Sequence, residues 1–108
     1  MDPKKEAILK EMGDISEDFY DELVRDFLAD ALSQVDALEK SLKGGDIESA
    51  KGIIHSLKGV SANIRLNDIS QLSKEVETDI KSGLGFDDVA GKLETMRAAI
   101  ASLSGKTN

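Results

Sequence analysis

A single histidine stands among residues that are suited to phosphate chemistry. His55 is the only histidine in the 108 residues, and Lys58 follows it by three positions. At about 100° per residue, both lie on one helix face with Gly52, Gly59 and Ala62. A nucleophile beside a cation, on a surface kept clear by small residues, indicates a phosphate carrier. Neutral pH leaves a histidine one unprotonated ring nitrogen for such chemistry.

The composition limits the class of protein to which the chain can belong. The length suffices for one domain with one core, and the lack of cysteine excludes disulfides and thiolate metal sites. The net charge of −7 disfavours binding to nucleic acids or to anionic membranes. The N-terminal residues lead into no apolar stretch, and no segment reaches transmembrane length. We therefore expect a cytoplasmic protein without a signal peptide.

Apolar residues recur every three or four positions in four long segments, which is typical of amphipathic helices. The segments cover 17–42, 47–64, 69–80 and 86–103, and a shorter segment at 5–12 precedes them. Short connections between them predict an all-α fold, an antiparallel up-down four-helix bundle with a short additional N-terminal helix. We expect one domain over 1–108, with a helix and turn in 1–15, the bundle in 16–103 and a frayed tail in 104–108.

Polar residues that favour helix starts lie ahead of three of these segments. Asp14 or Ser16 can cap the second helix, Asp46 the third and Asp68 the fourth. On the third helix, His55 lies roughly 140° from the centre of the apolar stripe. The histidine is therefore predicted to face away from the core.

The run 55–59, His-Ser-Leu-Lys-Gly, resembles the signature of the histidine phosphotransfer (HPt) domains of two-component phosphorelays. The resemblance extends over the long preceding helix, the acidic turn at Asp46 and the helix that contains residues 72–77. It implies that His55 is the phosphorylated residue and that Lys58 offsets the phosphoryl charge. It also implies that Glu77 orients the imidazole and that Gly59 leaves room for a receiver. Together with the small residues Gly52 and Ala62 on the same face, Gly59 is predicted to form a docking surface.

The resemblance further implies the partners of the chain. HPt domains exchange phosphate with response-regulator receiver domains, with a sensor histidine kinase, or with both. The chain has no phosphate-cradling loop or nucleotide motif, so we expect a phosphocarrier rather than an enzyme. We expect it to have no cofactor of its own, the Mg²⁺ being in the partner receiver, and to be a monomer.

One position departs from the family pattern. The family often has glycine ten residues after the histidine, where this chain has Arg65. Arginine is disfavoured in the left-handed conformation that often ends a helix. We therefore expect this helix to end differently, using Asn67. Arg65 is also a candidate for contact with a partner.

Several other interpretations of these residues stay open. The chain could be a pseudo-HPt adaptor that binds a receiver or kinase without carrying phosphate, or a purely structural bundle. Lys58 could be an ordinary solvated lysine, and Glu77 could be a partner for Lys81 at i,i+4. Two classes are excluded: a Ser/His/Asp hydrolase lacks a cleft here, and a di-iron site needs histidines that point inward.

Overall fold

The protein is all-helical in the computed structural model, which describes residues 2–106. Five helices follow one another: α1 (Pro3–Glu11), α2 (Glu17–Lys43), α3 (Ile47–Asn63), α4 (Asn67–Lys81) and α5 (Phe86–Lys106). No strand occurs in residues 2–106, so the predicted fold class is confirmed as all-α. None of the helices in this range is long and apolar enough to cross a membrane.

The four long helices pack around one apolar core in a closed cycle. α2 packs against α3 and α5, and α4 packs against α3 and α5. Each helix buries its apolar stripe, and α3 does so with Ile54 and Leu57, neither of which is exposed. Burying one such side chain stabilises the fold by about 1.5–3 kcal/mol. The buried row of α3 therefore fixes which of its faces is left for solvent.

Two of the predicted caps are present. Ser16 begins α2, where its side chain accepts a hydrogen bond from the backbone N–H of Phe19 at 3.1 Å. Asp46 begins α3 and accepts from the N–H of Ser49 at 3.2 Å. Each bond satisfies a backbone donor that the first turn leaves free. Asp14, the alternative cap for α2, instead lies in the turn with φ 58°.

Two helix ends differ from the sequence prediction. Asp68 is not the cap of α4 but part of its first turn, since Leu66 is the N-cap and provides no side-chain hydrogen bond. The tail predicted to fray from Ser104 is helical as far as Lys106. The last two residues of that predicted tail, Thr107 and Asn108, lie outside the described residues.

Arg65 forms the turn after α3, in the left-handed conformation that was expected to disfavour arginine. Its φ is 63°, its N–H donates to Ala62, and the N–H of Leu66 donates to Ser61. The prediction that Asn67 would end α3 is wrong, because Asn67 is the first residue of α4. This bonding pattern is the Schellman motif, which glycine normally completes.

The side chain of Arg65 offsets part of the strain of that conformation, about 1–2 kcal/mol. Its Nη1 donates to the carbonyls of Ala62 and Asn63, each at 3.0 Å, and its Nε donates to Glu11 of α1 at 3.1 Å. The Arg65 side chain thus adds hydrogen bonds to the last carbonyls of α3 and links α1 to the bundle.

Candidate functional site

The third helix places His55 on the molecular surface. Its neighbours Ile54 and Leu57 are fully buried, whereas the His55 side chain is 72% exposed. The 3.6-residue period explains this arrangement, since burying the apolar stripe turns the histidine outward. The outward direction confirms the prediction that His55 faces away from the core.

Three small residues lie on the face of α3 that carries the imidazole. Gly52 and Gly59 are exposed, and a Cβ built on either one meets no atom within 4 Å. Ala62, on the same face, is also exposed. A helical glycine costs about 1 kcal/mol relative to alanine, and neither glycine offsets that cost by allowing another helix to approach closely. The two glycines therefore leave an open strip along the helix beside His55.

A buried carboxylate lies beside the histidine. Glu77 follows the core residue Val76 on α4, and its side chain is only 7% exposed. The helix turns it towards α3, where its Oε2 lies 3.0 Å from His55 Nδ1. Its Oε1 accepts a hydrogen bond from Lys58 Nζ at 2.5 Å. Glu77 thus brings together the two α3 residues that the sequence placed on one face.

The surroundings of Glu77 keep it ionised. The hydrogen bond from Lys58 is the largest cause that lowers the pKa of Glu77 from its ordinary value of 4.5. Burial opposes this shift, while the hydrogen bond to His55 and the charges of Lys58 and Lys81 add to it. An ionised carboxylate can only accept hydrogen bonds. The hydrogen between Glu77 and His55 therefore belongs to Nδ1, which places the lone pair of a neutral imidazole on Nε2.

Lys58 makes a contact that the sequence did not suggest. Its ammonium is bound to Glu77, and its side chain is 32% exposed. It is therefore not a simple solvated lysine. The i,i+4 neighbour Lys81 is more distant, with its Nζ 4.0 Å from Glu77 Oε2.

The link between Lys58 and Glu77 is not predicted from the sequence. The two residues are 19 positions apart, and only the packing of α3 against α4 brings them together. One available signal was the carboxylate of Glu77 directly after the core position Val76, because a buried carboxylate needs partners. Within residues 2–106, no group of three or more histidine, cysteine or acidic side chains could hold a metal ion.

Taken together, the geometry provides an exposed nucleophilic nitrogen on a rigid support. Glu77 fixes the ring orientation and the tautomer, as a carboxylate does for metal-bound histidines. The open strip at Gly52 and Gly59 gives a second macromolecule access to Nε2. Such a site can accept an electrophilic group from a partner that approaches along α3.

Comparison with protein-family models agrees with this geometry. The model of the Hpt domain matches residues 22–105, a range that includes all of α3 and α4 and begins within α2. No match was found among the curated proteins or the solved structures. Hpt domains carry out histidine phosphotransfer in phosphorelays and interact with receiver domains and kinases. The matched range covers most of the chain, which therefore belongs to the Hpt domain family.

Proposed function

We propose that this protein carries a phosphoryl group on Nε2 of His55 and exchanges it with the aspartate of a receiver domain. One observation carries the proposal: the exposed imidazole is bonded through Nδ1 to a buried carboxylate. That bond leaves Nε2 with its lone pair, directed away from Glu77. A surface histidine without function would not need a buried acid to orient it.

The transfer step uses the two ring nitrogens differently. The Nε2 lone pair forms a bond to the phosphorus of the partner's aspartyl phosphate. The P–O bond to that aspartate breaks, and its electron pair leaves on the aspartate carboxylate. Because Nδ1 keeps its proton, the imidazole gains positive charge as the N–P bond forms. The carboxylate of Glu77, 3.0 Å away, stabilises that charge, and onward transfer reverses the same steps.

The partner provides the rest of the reaction centre. Phosphoryl transfer depends mainly on positioning and on stabilising charge, and the Mg²⁺ for that purpose would be held by the receiver. This chain is then a phosphocarrier without a cofactor of its own, rather than an enzyme. A sensor histidine kinase is the alternative phosphate donor, and the cytoplasm is the compartment where such partners meet.

The docking surface is proposed to be the strip formed by Gly52, Gly59 and Ala62. A receiver must bring its aspartate within bonding distance of Nε2, and long side chains at these positions would obstruct it. The closed cycle of helix packing and the short connections favour an antiparallel up-down bundle that acts as a monomer. Such a bundle leaves the face of His55 open to its partner.

The test is phosphorylation by phosphoramidate, a small donor that needs no partner protein. The purified protein and the variant His55→Gln are treated in parallel, and adducts are followed by intact mass and ³¹P NMR. We expect an acid-labile, base-stable adduct on the unaltered protein and none on the variant. Circular dichroism and thermal unfolding should be nearly the same for both, because the side chain is exposed.

The opposite result would favour a different function. A folded protein that forms no adduct at His55 would be better described as a pseudo-HPt adaptor, which binds a receiver or kinase without carrying phosphate. Receiver binding without phosphorylation would support that alternative, and the absence of both would indicate a structural bundle.

A further inference from the structure

Two lysines lie close to the carboxylate beside His55, and they are held to different degrees. Lys58 donates a hydrogen bond to Glu77 Oε1 at 2.5 Å, and its side chain is 32% exposed. Lys81 Nζ is 4.0 Å from Glu77 Oε2, beyond hydrogen-bond distance, and its side chain is 62% exposed. Glu77 therefore holds the first lysine by a hydrogen bond, whereas the second is more exposed and makes no hydrogen bond to Glu77.

The charges in this cluster do not cancel. One carboxylate faces two ammonium groups, and a neutral imidazole adds no charge. Lys58 neutralises Glu77, so Lys81 is a surplus positive charge. Another cation of this face, Lys51, lies one turn before His55 but pairs with Glu48 at 3.7 Å. The surplus is unusual in a chain with a net charge of −7.

We propose that Lys81 compensates the charge of the phosphoryl group on His55, while Lys58 is a positioning residue that holds Glu77 beside the imidazole. This inference rests on the proposed function and specifies which cation serves the phosphorylated state. It replaces the role of Lys58 that the family resemblance implied. By this inference, the transfer rate depends on the positive charge of Lys81.

The physical reason lies in the cost of moving each lysine. A phosphoryl group brings about 1.5–2 negative charges. If Lys58 moved to the phosphoryl group, it would leave a buried carboxylate without its closest partner, which is strongly unfavourable. Lys81 has a flexible, exposed stem and no hydrogen bond to Glu77 to break, so its ammonium can move at little cost.

The test compares three variants with the unaltered protein under phosphoramidate: Lys81→Gln, Lys81→Arg and Lys40→Gln. Lys40 is an exposed lysine on α2, so its variant matches the change in net charge at a remote position. We expect Lys81→Gln to lower the phosphorylation rate of His55 roughly fivefold, the effect of losing a cation about 4 Å from an anion in water. Lys81→Arg should largely restore the rate, and Lys40→Gln should not change it.

Two further measurements separate charge compensation from a structural role. Because Lys81 is exposed, its advantage over glutamine should shrink as salt is raised from 0.05 to about 1 M, where the Debye length is about 3 Å. In ¹⁵N NMR of the unphosphorylated protein, Lys81→Gln should leave the protonation of the His55 nitrogens unchanged. Lys58→Gln, in contrast, should disturb it, because Glu77 loses its fixed position.

The outcomes distinguish this inference from the proposed function. If the unaltered protein forms no adduct at His55, both fail. If the adduct forms and Lys81→Gln reacts as fast as Lys40→Gln, only the role of Lys81 is overturned. The same holds if Lys81→Gln alters the protonation of the His55 nitrogens, since Lys81 would then position Glu77. A salt-sensitive loss with normal protonation supports the inference.

Discussion

Two clusters of charged side chains join neighbouring helices, and they have opposite polarity. Between α2 and α5, the cation Arg97 lies at the centre. It donates to Asp36 at 3.0 Å, to Glu39 at 3.2 Å and to Glu94 at 2.5 Å, and its side chain is 21% exposed. Between α3 and α4, the central group is instead the carboxylate of Glu77, with cations around it.

Similar ion pairs therefore have different roles in the two clusters. The Arg97 cluster has surplus negative charge, like the chain as a whole, and its guanidinium donates four hydrogen bonds to three carboxylates. The Glu77 cluster has surplus positive charge and includes an exposed nucleophile. We therefore interpret the first cluster as a structural link between helices and the second as a reactive site.

The largest expected effect is on the reactive cluster. Glu77→Gln keeps the size of the side chain and an oxygen that can accept from Nδ1, but it removes the negative charge. We expect phosphorylation of His55 by phosphoramidate to slow roughly 10–100-fold, by analogy with the loss found when carboxylates behind metal-bound histidines are replaced. The matched control is Glu94→Gln, which removes an acid from the Arg97 cluster and should leave the rate unchanged. Equal rates for Glu77→Gln and the unaltered protein would contradict the role of the carboxylate.

The converse effect is expected for the structural cluster. Arg97→Met removes a guanidinium that bridges α2 and α5, and we expect it to lower the free energy of unfolding by about 1–2 kcal/mol. Phosphorylation of His55 should continue at the normal rate. Urea denaturation measures the first quantity, with Arg25→Met, an exposed arginine of α2, as control. A slower phosphorylation would show that the two clusters are coupled.

A substitution in the open strip should have two smaller effects of opposite sign, a gain in stability and a loss of receiver binding. Gly59→Ala should stabilise the protein by about 0.5–1 kcal/mol, because alanine favours the helix and its Cβ meets no atom within 4 Å. Gly91→Ala on α5 is the matched control, since that glycine is also exposed and its added Cβ meets nothing. Only Gly59→Ala should weaken receiver binding, measured by titration calorimetry. Equal binding by both variants would remove Gly59 from the docking surface.

The smallest expected effect is a pH dependence of stability. The hydrogen bond from Lys58 lowers the pKa of Glu77 in the folded protein below its ordinary value of 4.5. The unfolded chain therefore binds more protons near that pH, and stability rises with pH there. The contribution is complete above about 4.5 and is lost as the pH falls through the lowered pKa. Urea denaturation of the protein and of Glu77→Gln from pH 7 to 3 should show their difference shrinking as the pH falls. A difference that stays constant would contradict the shift.

Local sequence signals predicted most of the helical framework. The three- and four-residue spacing of apolar residues located every long helix, and Ser16 and Asp46 marked two of their starts. These features depend on interactions within a few residues, so they can be read directly from the sequence. The start of α4 was placed wrongly because Leu66 caps it without a side-chain bond.

The turn after α3 shows where local reasoning fails. Glycines with positive φ complete the corresponding turns after α2 and α4, at Gly45 and Gly83. Arg65 takes the same position, and part of what stabilises it comes from Glu11, 54 residues away in the sequence. Helix propensities do not include that contact, so a different helix end was predicted from the sequence.

The sequence by itself determined that His55 lies on a helix surface beside small residues, because the 3.6-residue period links its direction to the apolar stripe. Only the tertiary structure decided which groups that histidine meets. Glu77 is 22 positions away, and the packing of α3 on α4 sets whether it contacts His55 and Lys58. Contacts between helices depend on their axial register and rotation, which the packing of all the side chains between them determines. The direction of the nucleophile was therefore a local property, and the charge arrangement around it was a property of the whole fold.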